Sequence, residues 1–206
     1  MRNVPNILSV SRLCATIIVF ILILVAQPWA YLLATLFFFL GSVTDYLDGY
    51  IARKYKLVSS LGVFLDLTAD KVFVAAALIA FAPSGLVPAW ITFIIITREF
   101  VVSGLRSIAA AKGKVIPAGV WGKQKTFITL LALGGVMLSK GLGANALSFF
   151  PWALHFSSQT VNFPNILLLL ADILLILATI WTIFSGIEYL SGGWPVLMSK
   201  SDETKK

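Results

Sequence analysis

Two long charge-free runs constrain this chain more than any other feature. No charged residue lies between Arg12 and Asp45, and none lies between Lys71 and Arg98. A helix that crosses a bilayer needs about 20 apolar residues. Gln27, Pro28 and Trp29 divide the first run into two such helices, and Pro83, Ser84, Gly85 and Pro88 punctuate the second. Composition points the same way. Of 206 residues, 59% are hydrophobic and 12% charged, against about 25% charged in soluble domains. Too few polar residues remain to cover a water-soluble core, and the mean hydropathy of +0.94 excludes a disordered chain. The apolar residues come in runs rather than in alternation, which argues against an outer-membrane-type barrel.

The expected fold is therefore an all-α integral membrane protein, one domain over residues 1–206 with six transmembrane helices. They are placed near 7–26, 30–50, 61–82, 88–111, 121–139 and 164–190. Arg2 and Arg12 ahead of an apolar stretch also suit a signal peptide, but removing that segment would leave an odd number of spans. The basic residues separate by loop. Arg2, the group Arg53, Lys54 and Lys56, the group Lys112, Lys114, Lys123 and Lys125, and the tail residues Lys200, Lys205 and Lys206 fall on one side. Lys140 stands alone on the other. The positive-inside rule places both termini in the cytoplasm. The net charge of +7 is then a set of loop charges facing anionic lipid, not a nucleic-acid surface. The single cysteine, Cys14, forms no internal disulfide. Phe149, Phe150, Trp152 and His155 read as residues of the outer interface.

Charge inside a membrane is costly, so it marks function. Four of the acidic residues share one pattern: Asp45-x-x-Asp48-Gly49-x-x-Ala52-Arg53, then eight residues, then Gly62-x-x-x-Asp66-x-x-x-Asp70. Asp45, Asp48 and Ala52 fall on one face of helix 2, and Gly62, Asp66 and Asp70 form one stripe on helix 3. The short basic connection makes the two helices antiparallel neighbours. Four facing carboxylates cannot all stay ionised unaided, because like charges raise one another's pKa. Hard divalent cations, Mg²⁺, Mn²⁺ or Ca²⁺, would neutralise them, and two such ions suit phosphoryl transfer. Gly49 and Gly62 let a ligand approach the backbone, Ala52 leaves room beside them, and Arg53 suits a phosphate. The alternative is a set of interhelical ion pairs with Arg53, Lys71 or Arg98.

The pattern resembles the signature of the CDP-alcohol phosphotransferase family, and all eight fixed positions are present. The resemblance implies a six-helix membrane fold, a homodimer and an active site facing the cytoplasm. It implies two divalent cations, Mg²⁺ or Mn²⁺, held by Asp45, Asp48, Asp66 and Asp70, with Asp66 bridging them. It implies a CDP-linked lipid bound near Gly49, Ala52, Arg53 and Gly62, and a general-base role for Asp70.

Further basic residues bear on the acceptor alcohol. Arg98 and Arg106 share a face of helix 4, and Lys123 and Lys125 open helix 5. Together they are expected to bind an acceptor that carries its own phosphate; the alternative is that Arg98 pairs with Glu99 or an aspartate and the lysines are loop charges. Asn3-Val4-Pro5-Asn6 with Arg12, the run Thr97 to Arg106, Trp121 to Thr126 and Ser185 to Tyr189 resemble the family members whose acceptor is glycerol 3-phosphate. That likeness implies transfer of a phosphatidyl group from CDP-diacylglycerol to sn-glycerol 3-phosphate, in phospholipid biosynthesis at a bacterial plasma membrane. Another acceptor, such as inositol phosphate or phosphatidylglycerol, is the competing reading within the family. A divalent-cation carrier competes from outside it, but the intramembrane charge is concentrated in the cytoplasmic half. Asp172 fits none of these roles and is expected to pair with Lys140 or to reach the interface. Trp29, Trp90 and Trp181 read as interfacial or packing residues.

Overall fold

The computed structural model describes residues 4–55, 60–112, 120–145 and 162–198. The described residues are helical with no strand, in six helices: α1 (Val4–Val25), α2 (Pro28–Tyr55), α3 (Ser60–Phe81), α4 (Ala89–Ala111), α5 (Val120–Gly141) and α6 (Phe163–Met198). In an apolar setting a helix is the cheapest way to satisfy each backbone N–H and C=O. The turns follow local chemistry. Ala26 takes a left-handed φ of 54° and closes α1. Pro28, with no N–H to satisfy, opens α2.

Two helices outrun the expected ends. α2 continues to Tyr55 because Ile51-Ala52-Arg53-Lys54 holds no breaker. α6 continues through Gly192, Gly193 and Pro195 to Met198. Among the described residues, one segment, Phe163–Gly192, is long and apolar enough to cross a membrane on those grounds alone. Val10–Val25 and Pro28–Thr44 are shorter apolar stretches. The other helices carry charge well inside their length: Asp66, Asp70 and Lys71 in α3, Arg98, Glu99 and Arg106 in α4, Lys123 and Lys125 in α5.

The helices pack in a ring. α1 lies against α2 and α3, α2 against α5, α5 against α6, α6 against α4, and α3 against α4 and α5. Val19 and Ile23 of α1, Leu78 and Phe81 of α3, Leu133 and Met137 of α5, and Leu168 and Leu175 of α6 fill the core. Three charged residues among those described are buried, Arg12, Lys125 and Asp172. Arg12 and Lys125 are each 2% exposed, near the starts of α1 and α5, at one end of the ring. Trp29 and Trp90, 57% and 50% exposed, mark the starts of α2 and α4 at the other end. Trp181 is instead partly buried within α6. Cys14 is a free thiol on the outside of α1. The 146–161 segment, with His155 and its aromatic neighbours, lies outside the described residues.

Candidate active site

The pairing of α2 with α3 is fixed at Phe73. Its ring stacks on Phe38 with centroids 4.7 Å apart and planes 13° from parallel. It also presses on Gly41, where an added Cβ would sit 3.0 Å from the Phe73 ring. α3 begins after a connection of four residues, 56–59, and comes back to the middle of α2 at Phe73, so the two helices run in opposite senses. The register then follows from a rise of about 1.5 Å per residue. Moving along α2 and back along α3 from this contact brings Asp45 to the level of Asp70, Asp48 to that of Asp66, and Ala52 to that of Gly62. The eight signature positions all lie on these two helices. Of their side chains, only that of Asp70 is among those described, and it is exposed; the others, and that of Lys123, lie outside the described residues. The four carboxylate-bearing positions thus fall at two adjacent levels of the helix pair.

Across from this pair, α4, α5 and α6 bring a second group together. Lys125 of α5 is buried and pairs with the Glu99 carboxylate of α4. Arg98 Nη1 donates to the same Glu99 oxygen, Oε1, at 3.3 Å. Arg98 Nη2 donates to Ser185 Oγ of α6. The Arg98 guanidinium lies 5.5 Å from the centre of the Tyr189 ring, within cation–π range. Gly186 makes this crossing possible, since a Cβ there would stand 3.2 Å from Arg98 Cγ. Lys125 is also electrostatically coupled to both Asp70 and Arg98. Of the signature side chains, that of Asp70 is the one whose charge reaches Lys125.

The expected site residues thus divide. Arg98 and Lys125 come together at Glu99. Arg106 is exposed, two turns farther along α4. Arg98 does pair with Glu99, as one expectation held, but Lys125 joins the same oxygen. Glu99 is the residue that sequence reasoning undervalued, because neighbours in a helix do not ordinarily face each other. Arg12 is the other. A 2% exposed arginine on the first helix is visible only once α2 and α3 close over it. Asp172 is buried at 2%, with Oδ1 lacking a hydrogen-bond partner, and interacts with Lys140 rather than reaching the interface.

Residues 2–160 match the sequence model of the CDP-alcohol phosphatidyltransferase family. A Bacillus subtilis (strain 168) protein named CDP-diacylglycerol–glycerol-3-phosphate 3-phosphatidyltransferase is 36% identical over 214 residues, covering 98% of this chain and 100% of that protein. A Pseudomonas fluorescens protein of the same name is 34% identical over 211 residues, 99% of this chain and 95% of its own length. One from Rickettsia bellii (strain RML369-C) is 40% identical over 141 residues, 68% of this chain and 78% of its own. The match spans the helices that carry the signature and the basic group alike, and this chain belongs to the CDP-alcohol phosphatidyltransferase family.

Proposed function

We propose that this enzyme transfers the phosphatidyl group of CDP-diacylglycerol to sn-glycerol 3-phosphate, forming phosphatidylglycerophosphate and CMP. Relatives named for that reaction and similar over nearly the whole chain support it. The observation that carries it here is the gathering of Lys125 of α5 and Arg98 of α4 on one Glu99 oxygen, with the charge of Asp70 in electrostatic reach of Lys125. In this reading the Asp70 carboxylate takes a hydroxyl proton while the two cations hold the acceptor's own phosphate. A neutral acceptor such as inositol would make no use of the charge on either cation.

In this reading the primary hydroxyl oxygen of glycerol 3-phosphate attacks the phosphorus that carries diacylglycerol. Asp70 takes the hydroxyl proton, the bond from phosphorus to the CMP oxygen breaks, and CMP leaves. Arg53 pairs with the donor's phosphates, and the small residues Gly49, Ala52 and Gly62 let the nucleotide lie against α2 and α3. Arg98 and Lys125 orient the acceptor, while Arg106 and Lys123 draw the phosphate toward them. Asp45, Asp48, Asp66 and Asp70 would hold two divalent cations, Mg²⁺ or Mn²⁺. Such ions supply neutralisation of the pyrophosphate and of the charge that develops on departing CMP. The same reading makes all six helices spans of a plasma membrane, with both termini and the site in the cytoplasm, and the protein a homodimer in a single domain.

The test is CMP release by the purified protein in detergent, with CDP-diacylglycerol as donor. Release with glycerol 3-phosphate but not with inositol, inositol phosphate, serine or phosphatidylglycerol is the expected result. It should cease on chelation with EDTA and return with Mg²⁺ or Mn²⁺. Release with a different acceptor overturns the substrate assignment and leaves the family chemistry. Full turnover in EDTA overturns the metal assignment.

A further inference from the structure

Glu99 is neither an ordinary surface acid nor an ordinary helix brace. Pairs that brace a helix stand three or four residues apart, whereas Glu99 folds back over its immediate neighbour Arg98. It presents one oxygen, Oε1, to cations from two helices. The exposures are unequal: the side chain of Lys125 is 3% exposed and that of Arg98 11%, but that of Glu99 is 27%. The cations are therefore sunk behind their anion. Arg98 does not depend on Glu99 for its place, since Ser185 and Tyr189 of α6 hold the guanidinium from the other side. Its Nε is buried with no hydrogen-bond partner, a donor left over. A buried lysine must keep an anion beside it, because an unpaired charge in a low-dielectric interior is expensive.

We propose that Glu99 is a positioning residue that mimics the acceptor's phosphate: it holds Lys125 and Arg98 in their binding arrangement and yields them when a phosphate monoester enters. The proposal rests on the acceptor reading above. A phosphate monoester brings nearly two negative charges against one from the carboxylate, and it has enough oxygens to reach both cations at once. Exchange of one anion for the other never leaves Lys125 unpaired. Glu99 also sets a threshold, because a weaker or smaller anion does not displace it. This is a means of selecting a phosphorylated alcohol over a carboxylate or a neutral one.

The experiment compares wild type, Glu99→Gln and Glu99→Asp, each purified in detergent. Binding of inorganic phosphate and of glycerol 3-phosphate is measured by calorimetry with no donor present, and KM values by CMP release. Removing the competing charge in Glu99→Gln should tighten binding of both ligands and lower the acceptor KM by about three- to tenfold, with the donor KM unchanged. Glu99→Asp keeps the charge but withdraws it from Lys125, so the same shift should appear at smaller size; this variant carries the test if the glutamine protein does not fold. The gain should vanish in Glu99→Gln/Lys125→Gln when compared with Lys125→Gln alone. Unchanged or weaker phosphate binding in both single variants overturns the proposal, even if wild type turns over glycerol 3-phosphate normally. Tighter phosphate binding, without CMP release from glycerol 3-phosphate by any of the proteins, supports the role of Glu99 and overturns only the acceptor reading.

Discussion

Asp70 illustrates what a single residue reveals here. Its side chain is exposed and electrostatically coupled to Lys125, so it can lose its charge without opening a hole in the core. Asp70→Asn is therefore expected to fold as the wild type does, by circular dichroism and thermal unfolding in detergent. Its kcat for CMP release should fall by about 10²- to 10⁴-fold, the usual worth of a positioned general base. A variant with near-normal kcat would remove Asp70 from that role. Arg98 invites a different substitution. Its guanidinium reaches Glu99, Ser185 and the Tyr189 ring at once, which a single ammonium cannot do. Arg98→Lys should raise the acceptor KM about tenfold while the donor KM holds, and equal changes in both would count against an acceptor role. That the signature positions lie along two helices was legible from spacing alone, because i, i+3 and i, i+4 positions share a helix face whatever surrounds them. The role of Glu99 was not legible, since it depends on α5 arriving beside α4, and no local pattern encodes that.

At the scale of helices, close approach replaces side-chain chemistry. Gly135 of α5 faces Ala171 of α6 so tightly that an added Cβ would stand 2.9 Å from the Ala171 Cβ. Small residues of this kind let helix backbones pack where no hydrophobic force drives them together. Gly135→Ala should push the two helices apart and cost about 1–3 kcal/mol, read as a lower unfolding midpoint. One residue beyond Ala171, Asp172 is buried on the same helix and interacts with Lys140 at the end of α5. Removing only the cation strands a buried carboxylate, whereas removing both does not. Lys140→Met is therefore expected to unfold at a lower temperature than Lys140→Met/Asp172→Asn, and the reverse order would show that the pair does not hold α5 to α6. The charge-free runs gave the helices to within a few residues, because charge is what an apolar span excludes. The end of α6 was missed for the converse reason. Gly192, Gly193 and Pro195 read as breakers in water, but in an apolar setting the remaining helical hydrogen bonds have no water to replace them.

The orientation of the whole molecule follows from the ring and from the charges together. α1 and α3 run the same way, since α2 turns back along α1 and α3 returns past α2 at Phe73. The early part of α3 carries Asp66 and Asp70, so α1 begins at the site end, where Arg12 is buried. α6 reaches that same end late in its course, where Ser185 and Tyr189 meet Arg98. The first helix therefore starts, and the last finishes, on the side that holds nearly all the basic residues. In the proposed six-span reading, the positive-inside rule makes that side cytoplasmic. Replacing Cys14 by serine leaves a cysteine-free chain, into which single cysteines can be placed as Asn3→Cys, Ser84→Cys or Ser201→Cys. A membrane-impermeant maleimide added to spheroplasts should label only the Ser84→Cys protein, which carries its thiol in the α3–α4 turn. In inverted vesicles it should label the Asn3→Cys and Ser201→Cys proteins instead. Opposite behaviour at positions 3 and 201 would mean an odd number of crossings and would break the six-span reading. Labelling of both from outside would keep the even number but turn the molecule over, placing Asp70 on the side away from the cell's CDP-diacylglycerol and glycerol 3-phosphate.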